Sequence, residues 1–479
     1  MNQMVNPSEL DSGPLYAARQ EVYPRSVSGR FRNIKWTLMV FCLGVYYFLP
    51  FVRWDRGAGA PGQAVLVDFP NQRFYFFFIE LWPQEVYYFT GLLIIAAMIL
   101  FLMNAIGGRV WCGYLCPQTV WTDLFYAVER WIEGDRKDRM RKAQEPLSVR
   151  RVGEIAAKNL VWLVIAWWTG GAWVLYFADA PTLVRDLATL QAPLVAYVWI
   201  GILTFTTYTL AGFMREQVCV YMCPWPRIQA ALTDEWALNV TYRRDRGEPR
   251  MFVSKALERQ AAGLPAGDCI DCGLCVAVCP TGVDIREGTQ LGCIQCGLCI
   301  DACDEVMRRV ARPLRLIAYD SDANIKRRLE GKKEIYRFMR VRTAIYAGVI
   351  AATAALMTYT LATRNFLDIN VLHDRNPLAV TLADGSVRNA YTVRLLNKRD
   401  TYRTLSLDLE GLPGARLQIV GLGESYPHIS VGPDQSYELR ALVTVPAGVK
   451  IEKSTVVKFR VADVTGREAA SAEDHFIAP

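Results

Sequence analysis

Five stretches of the chain run without a charged residue: 36–52, 86–108, 159–178, 187–214 and 343–363. A helix rises 1.5 Å per residue, so about 20 apolar residues cross the ~30 Å hydrocarbon layer of a bilayer. One such run alone could be a buried core helix. Five in one chain predict a polytopic α-helical membrane protein with five transmembrane helices. Residues 110–122 are also uncharged but too few to span. The first run lies far from residue 1 and has no small-residue cleavage pattern after it, so it does not read as a cleaved signal peptide. Beyond residue 378 the period changes. Alternating segments at 391–396, 402–409, 416–420, 437–445 and 455–461 are separated by turn signals such as Ala383-Asp384-Gly385, Leu412-Pro413-Gly414 and Pro446-Ala447-Gly448. About a hundred residues of this kind predict a C-terminal immunoglobulin-like β-sandwich, here without cysteine and so without an inter-sheet disulfide.

Charge orients these elements. Five Lys and Arg precede the first run and nine lie in 129–158, against three in 53–85 and one in 179–192. Positive loops stay inside, which places the N-terminus in the cytoplasm. Five crossings then predict a cytoplasmic N-terminal tail (1–35) and a four-helix membrane region (36–214, its second cysteine block reaching 224). A cytoplasmic domain (215–342), a fifth transmembrane helix (343–363) and a periplasmic immunoglobulin-like domain (364–479) follow. The basic segment 130–151 reads as a topology anchor near anionic lipid, so the lipid bilayer is an expected partner and nucleic acid is not.

Eight of the 13 cysteines lie in two copies of C-x2-C-x2-C-x3-C: Cys269, Cys272, Cys275, Cys279 and Cys293, Cys296, Cys299, Cys303. Three closely spaced thiolates hold three corners of a cubane, and the fourth ligates the other cluster. The spacing therefore predicts a bacterial-type ferredoxin domain with two [4Fe–4S] clusters. One is held by Cys269, Cys272, Cys275 and Cys303, the other by Cys293, Cys296, Cys299 and Cys279. Zinc would use only four of these thiols, and a disulfide framework does not suit a reducing compartment.

Four more cysteines form a repeat, Cys112-Gly-Tyr-Leu-Cys116-Pro117 and Cys219-Val-Tyr-Met-Cys223-Pro224, each just past a cytoplasmic helix end. The repetition suggests duplication of a two-helix unit. At i and i+4 on a helix the two thiols would share one face, and the paired blocks would offer four soft thiolates, suited to Cu(I) or a further redox metal. Arg109 and Arg215 stand nearby. The bland alternative is two inert pairs packing helix ends. Cys42 reads as a small buried apolar residue. His373, His428 and His475, the only histidines, read as ordinary turn or surface residues of the outer domain.

These blocks together resemble the FixG/CcoG (RdxA-like) cytochrome c oxidase accessory proteins. The carriers are Trp111 to Gln118, Cys219-x3-Cys223-Pro224, the paired ferredoxin motifs with Cys303-Asp304 where ferredoxins have proline, and Asn370 to Pro377 leading to Asn389-Ala390-Tyr391. The resemblance implies a bacterial inner-membrane protein that matures cbb3-type cytochrome oxidase by reducing Cu(II) to Cu(I). Its expected partners are oxidase subunits or copper-delivery proteins and an electron donor of unspecified identity. Cys112, Cys116, Cys219 and Cys223 are then the candidate copper-facing catalytic residues. The alternatives are an electron-relay subunit of another membrane redox enzyme and a redox-sensing assembly scaffold.

Overall fold

The computed structural model describes residues 21–479 apart from 58–59, 400, 423–427, 434, 450–451, 466–467 and 479. The first twenty residues of the N-terminal tail lie outside the described residues. The chain divides into two compact units, 1–55 with 61–355, and 56–60 with 356–479.

The first unit holds α1 (Arg30–Phe48), α2 (Tyr87–Gly107), α3 (Val110–Tyr114), α4 (Pro117–Glu133), α5 (Arg136–Gln144), α6 (Val149–Val174), α7 (Ala180–Ala188) and α8 (Leu194–Thr207), which continues π-wound to Met214. Among the described residues four helices, not five, are long and apolar enough to cross a membrane: Arg30–Phe51, Tyr87–Gly107, Leu194–Met214 and Val341–Ala362. The run 159–178 falls mainly on α6, whose first turns carry Arg150, Arg151, Glu154 and Lys158 and whose apolar half is rich in tryptophan and glycine. The run expected to begin at 187 begins at Leu194, because 180–188 forms the separate α7.

Helix α1 starts six residues ahead of its uncharged run, and buried ion pairs explain how. Arg32 Nη1 donates to both Asp123 oxygens of α4 at 2.9 Å, and Lys35 Nζ lies 3.8 Å from the same carboxylate. All three side chains are buried, so each charge is compensated by its partner. Between α1 and α2 the chain forms a small antiparallel sheet, β1 (Val65–Asp68), β2 (Arg73–Phe76) and β3 (Ile79–Leu81), unmarked by clean alternation in the sequence. Buried Gln63 fastens this region to α6 and α7, donating to the Leu175 carbonyl at 2.8 Å and accepting from the Ala180 amide at 2.9 Å.

The cysteine-rich region belongs to the same unit. Strands β4 (Asn239–Tyr242) and β5 (Ile317–Asp320) pair antiparallel and bracket the two motif loops. Val240, Tyr242, Ile285, Ile300, Met307 and Ile317 pack around Cys269 and Cys275.

The second unit is a two-sheet antiparallel sandwich. One sheet runs β10 (Arg416–Ile419), β12 (Gln435–Val445), β8 (Val387–Asn397), β6 (Leu367–His373), with β7 (Val380–Thr381) on β8. The other runs β11 (Ile429–Val431), β9 (Arg403–Glu410), β13 (Ser454–Asp463), β14 (Ala469–Ile477). Inward residues such as Tyr391, Val393, Leu405, Val443, Phe459 and Phe476 alternate with outward polar ones and make one core. All five expected strands are present, and β6, β7, β11 and β14 are additional.

Candidate iron–sulfur and thiol sites

The two ferredoxin-type loops adopt the same unusual backbone. Asp271 and Gln295, each just before the second cysteine of its motif, have φ of 52° and 56°. Gly273 and Gly297, each just after it, have φ of 66° and 73°. Left-handed residues alternating with ordinary ones turn successive N–H groups to one side, the concavity that holds anions and iron–sulfur centres. Each glycine then starts a helix, Leu274–Ala277 or Leu298–Arg309, which carries the third cysteine of its motif.

The fold sorts the eight thiols into two sets. Burial, and then Cys275, Asp304, Cys269 and Cys272, push the Cys303 thiol up to about 12. Burial raises Cys293 to about 12 as well, and its neighbouring thiols are Cys279 and Cys296. Cys279, Cys293, Cys296 and Cys299 also line one small cavity, together with Cys275. The fourth cysteine of each motif thus stands beside the first three of the other. Cys272 is exposed, whereas Cys269, Cys275 and Cys296 are buried. Among the described residues no three Cys, His, Asp or Glu side chains are close enough to grip a single ion. A cubane seats its four sulfurs at separate corners, and two sets of four thiols match the donor count of two cubanes.

The membrane cysteine blocks form the wall behind the second loop. Cys112 and Cys219 pack against Val278, Ile294, Cys296 and Leu298. Gly113 sits so close that a Cβ there would lie 2.8 Å from the Ile294 carbonyl and 3.0 Å from the Cys296 Cα. Tyr114 donates its hydroxyl to the Cys296 carbonyl at 2.9 Å. Among the described residues Arg109 pairs with no carboxylate: its guanidinium donates to the carbonyls of Leu291 at 2.6 Å, Cys293 at 3.3 Å and Pro226 at 3.0 Å. Its amide donates to Gln295 Oε1 at 2.7 Å. Arg215 instead turns to Glu129 and to the Gly212 carbonyl. Gly113, Tyr114 and Gln295 carry no signal in the sequence beyond the Cys-Gly-Tyr string that contains two of them, and Arg109 stands out there only as a cation near the thiols, not as a donor to loop carbonyls.

The structure brings Cys112, Cys116, Cys219 and Cys223 together. Burial pushes Cys112 up to about 12, with Cys116, Cys219 and Cys223 adding to the rise and Arg109 opposing it. Cys219 is raised likewise by burial, Cys116 and Cys223. The expected arrangement of each pair on one helical face is corrected, however. Helix α3 ends at Tyr114, and Cys116 and Cys223 are extended, with ψ of 128° and 123°. A residue before proline is driven out of the helical region, and Pro117 and Pro224 impose that here. Both blocks close with the same wide turn: the Cys116 amide donates to Trp111 O at 2.9 Å, and the Cys223 amide to Val218 O at 2.8 Å. Gly108 and Arg215, each four residues before the first cysteine, share one backbone conformation, φ 58°, ψ −127° and φ 43°, ψ −114°. The sequence repeat is a structural repeat.

The other candidates stand apart. Cys42 lies half-buried on α1 with a free thiol. His373 packs on the Tyr391 ring with centroids 4.8 Å apart, His475 Nδ1 meets Ser454 Oγ at 2.9 Å, and His428 is exposed.

Comparison with known proteins agrees with this division. A 4Fe-4S dicluster domain family matches residues 214–322, a 4Fe-4S binding domain family matches 89–137, and the IG-like fold at the C-terminus of FixG matches 357–479. The nitrogen fixation protein FixG of Rhizobium meliloti is 48% identical over 465 residues, covering 91% of this chain and 88% of that protein. Protein RdxB of Cereibacter sphaeroides is 49% identical over 418 residues, 85% and 87% of the two chains. Protein RdxA of the same organism is 47% identical over 462 residues, 95% and 96% of the two chains.

Proposed function

The chain belongs to the FixG/RdxA family of iron–sulfur electron-transfer proteins, and from there we propose that it is a cupric reductase that supplies Cu(I) for assembly of cbb3-type cytochrome c oxidase. Cys269, Cys272, Cys275 and Cys303 hold one [4Fe–4S] cluster, and Cys293, Cys296, Cys299 and Cys279 the second. When bound, such clusters supply one-electron transfer. The observation that carries the reading is the packing of Cys112 and Cys219 against the second ligand loop, with Cys116 and Cys223 near them. That set is the copper-facing end of the protein. The chain's own part is to fix distance and exclude water: Arg109 and Tyr114 hold the loop carbonyls, and Ile294, Val278 and Leu298 seal the space between. Each Cu(II) ion takes up one electron and leaves as Cu(I), which soft thiolates favour.

The proposed site is a bacterial inner membrane crossed five times, with the ferredoxin domain cytoplasmic and the sandwich periplasmic. Parity supports the fifth crossing. The start of α1, the end of α2 and the end of α8 all lie against the cysteine-rich region, so they share a side. Between the end of α2 and the start of α8 the chain must change sides, and α6 is the helix available. Its first turns meet Glu133 of α4, and its far end donates Tyr176 to the Tyr46 carbonyl near the end of α1.

The test is direct. Purified protein reduced with dithionite and freed of excess reductant is mixed with Cu(II) and a Cu(I)-specific chromophore. Cu(I) should appear in proportion to the electrons stored in the clusters. No Cu(I) above that given by cluster-free protein would overturn the reductase reading.

A further inference from the structure

We infer that Cys112, Cys116, Cys219 and Cys223 ligate a third iron–sulfur cluster of the four-iron class, seated at the membrane face of the ferredoxin domain. The inference rests on the electron-transfer reading above and deepens it, since the copper-facing end then carries a resident redox centre and copper remains the substrate.

Four observations carry it. The first is number. Of the 13 cysteines, eight are used by the ferredoxin loops, Cys42 stands alone on α1, and four remain. Four thiolates complete a cubane. Four sulfurs about a metal centre are also the signature of zinc or iron–sulfur, more than of copper. The second is convergence. The four come from two chain segments about a hundred residues apart in the sequence, yet Cys112 and Cys219 pack into one cluster, and each pair is delivered by the same wide turn ahead of a proline. An inert packing role explains buried sulfur, but not the same backbone built twice and brought face to face.

The third is the family match at 89–137. That segment is described as binding a 4Fe-4S group, yet it contains only Cys112 and Cys116. Two thiols cannot hold a four-iron cluster alone. The fold supplies the missing two, Cys219 and Cys223. The fourth is shared packing. Cys112 and Cys219, the first cysteine of each block, lie in one cluster with Cys296 of the second ferredoxin loop. Their surroundings suit a buried cluster as well. Ile294 and Leu298 of the second ferredoxin loop pack directly against Cys112 and Cys219 and keep that side apolar.

Iron and acid-labile sulfide, counted on the anaerobically purified full chain, decide the matter without copper. The expected count is about twelve of each per chain, because three cubanes each bring four. The variant Cys112→Ser/Cys219→Ser should fall to about eight and keep the visible spectrum of the ferredoxin-type clusters. A wild-type count of about eight with unchanged iron in the variant overturns the inference, as does a single zinc per chain released by the same double substitution. Should the variant lose more iron than one cluster, spin integration of the reduced wild type decides instead. Three one-electron centres support the third cluster and two overturn it. A count of eight alongside normal Cu(II) reduction sinks this inference alone. A count of twelve with no Cu(I) formed sinks the reductase reading alone.

Discussion

Gly113 shows how much depends on a single missing side chain. It lies between Cys112 and Tyr114, and its hydrogen faces the backbone of the second ligand loop. Replacing it with alanine puts a methyl 2.8 Å from one carbonyl and 3.0 Å from the Cα of a cysteine, distances at which backbone must move. Gly113→Ala should therefore displace Cys296, and purified protein should lose at least one cluster's worth of iron, about four per chain. Gly153→Ala on α6, with open space at that position, is the matched control. It should keep full iron, with a helix slightly stabilised by roughly 0.5–1 kcal/mol. Iron analysis and visible absorption of the two variants side by side make the check.

The coupling of elements is clearest at the start of α1. The first turn of a helix has amides without internal partners. Here they are met by Asp301, from the helix Leu298–Arg309 of the ferredoxin region. Its carboxylate accepts from the Phe31 amide at 3.2 Å and the Arg32 amide at 2.8 Å. Gly29 makes room, since a Cβ there would overlap the Asp301 carboxyl carbon at 2.3 Å. A negative group at a helix N-terminus also complements the macrodipole. Asp301→Ala should cost about 1–2 kcal/mol, the range of a lost cap. Because the cap joins a membrane helix to the cysteine-rich region, the loss should also speed iron removal by a chelator. Unchanged chelation kinetics would mean the two parts are held by other contacts, with Arg32–Asp123 the first to examine.

At the scale of the whole molecule, the side on which the clusters lie depends on whether α6 crosses. With five crossings the ferredoxin domain faces the reducing compartment, where exposed Cys272 and its neighbours stay thiols. With four it would face the oxidising side. Fusions truncated after Gln191, Arg312 and Asp384 separate the cases. A periplasmic reporter should be active at Gln191 and Asp384, and a cytoplasmic one at Arg312. A cytoplasmic signal at Gln191 would remove the fifth crossing, and with it the periplasmic placement of the sandwich.

The sequence by itself determined what depends on local spacing. The two C-x2-C-x2-C-x3-C motifs, the uncharged runs and the alternating segments after 378 each state a chemistry or a period that neighbours in the chain enforce. It also announced the Cys-x3-Cys-Pro repeat, but the helical period misled on its geometry. Proline removes the preceding cysteine from the helix, a constraint that overrides spacing. Only the tertiary structure decided which thiols meet. Cys112 and Cys219 are brought together by packing of α4 against the π-wound end of α8, a contact that no short window of sequence contains. The roles of Arg109, Asp301 and Gly113 were hidden for the same reason, since a guanidinium bound to carbonyls, a cap supplied from another element and a close backbone approach are relations between distant segments. The membrane region and the ferredoxin domain read as separate pieces in sequence because one is apolar and the other charged. They form one unit because the polar atoms at their boundary, buried together, must satisfy one another.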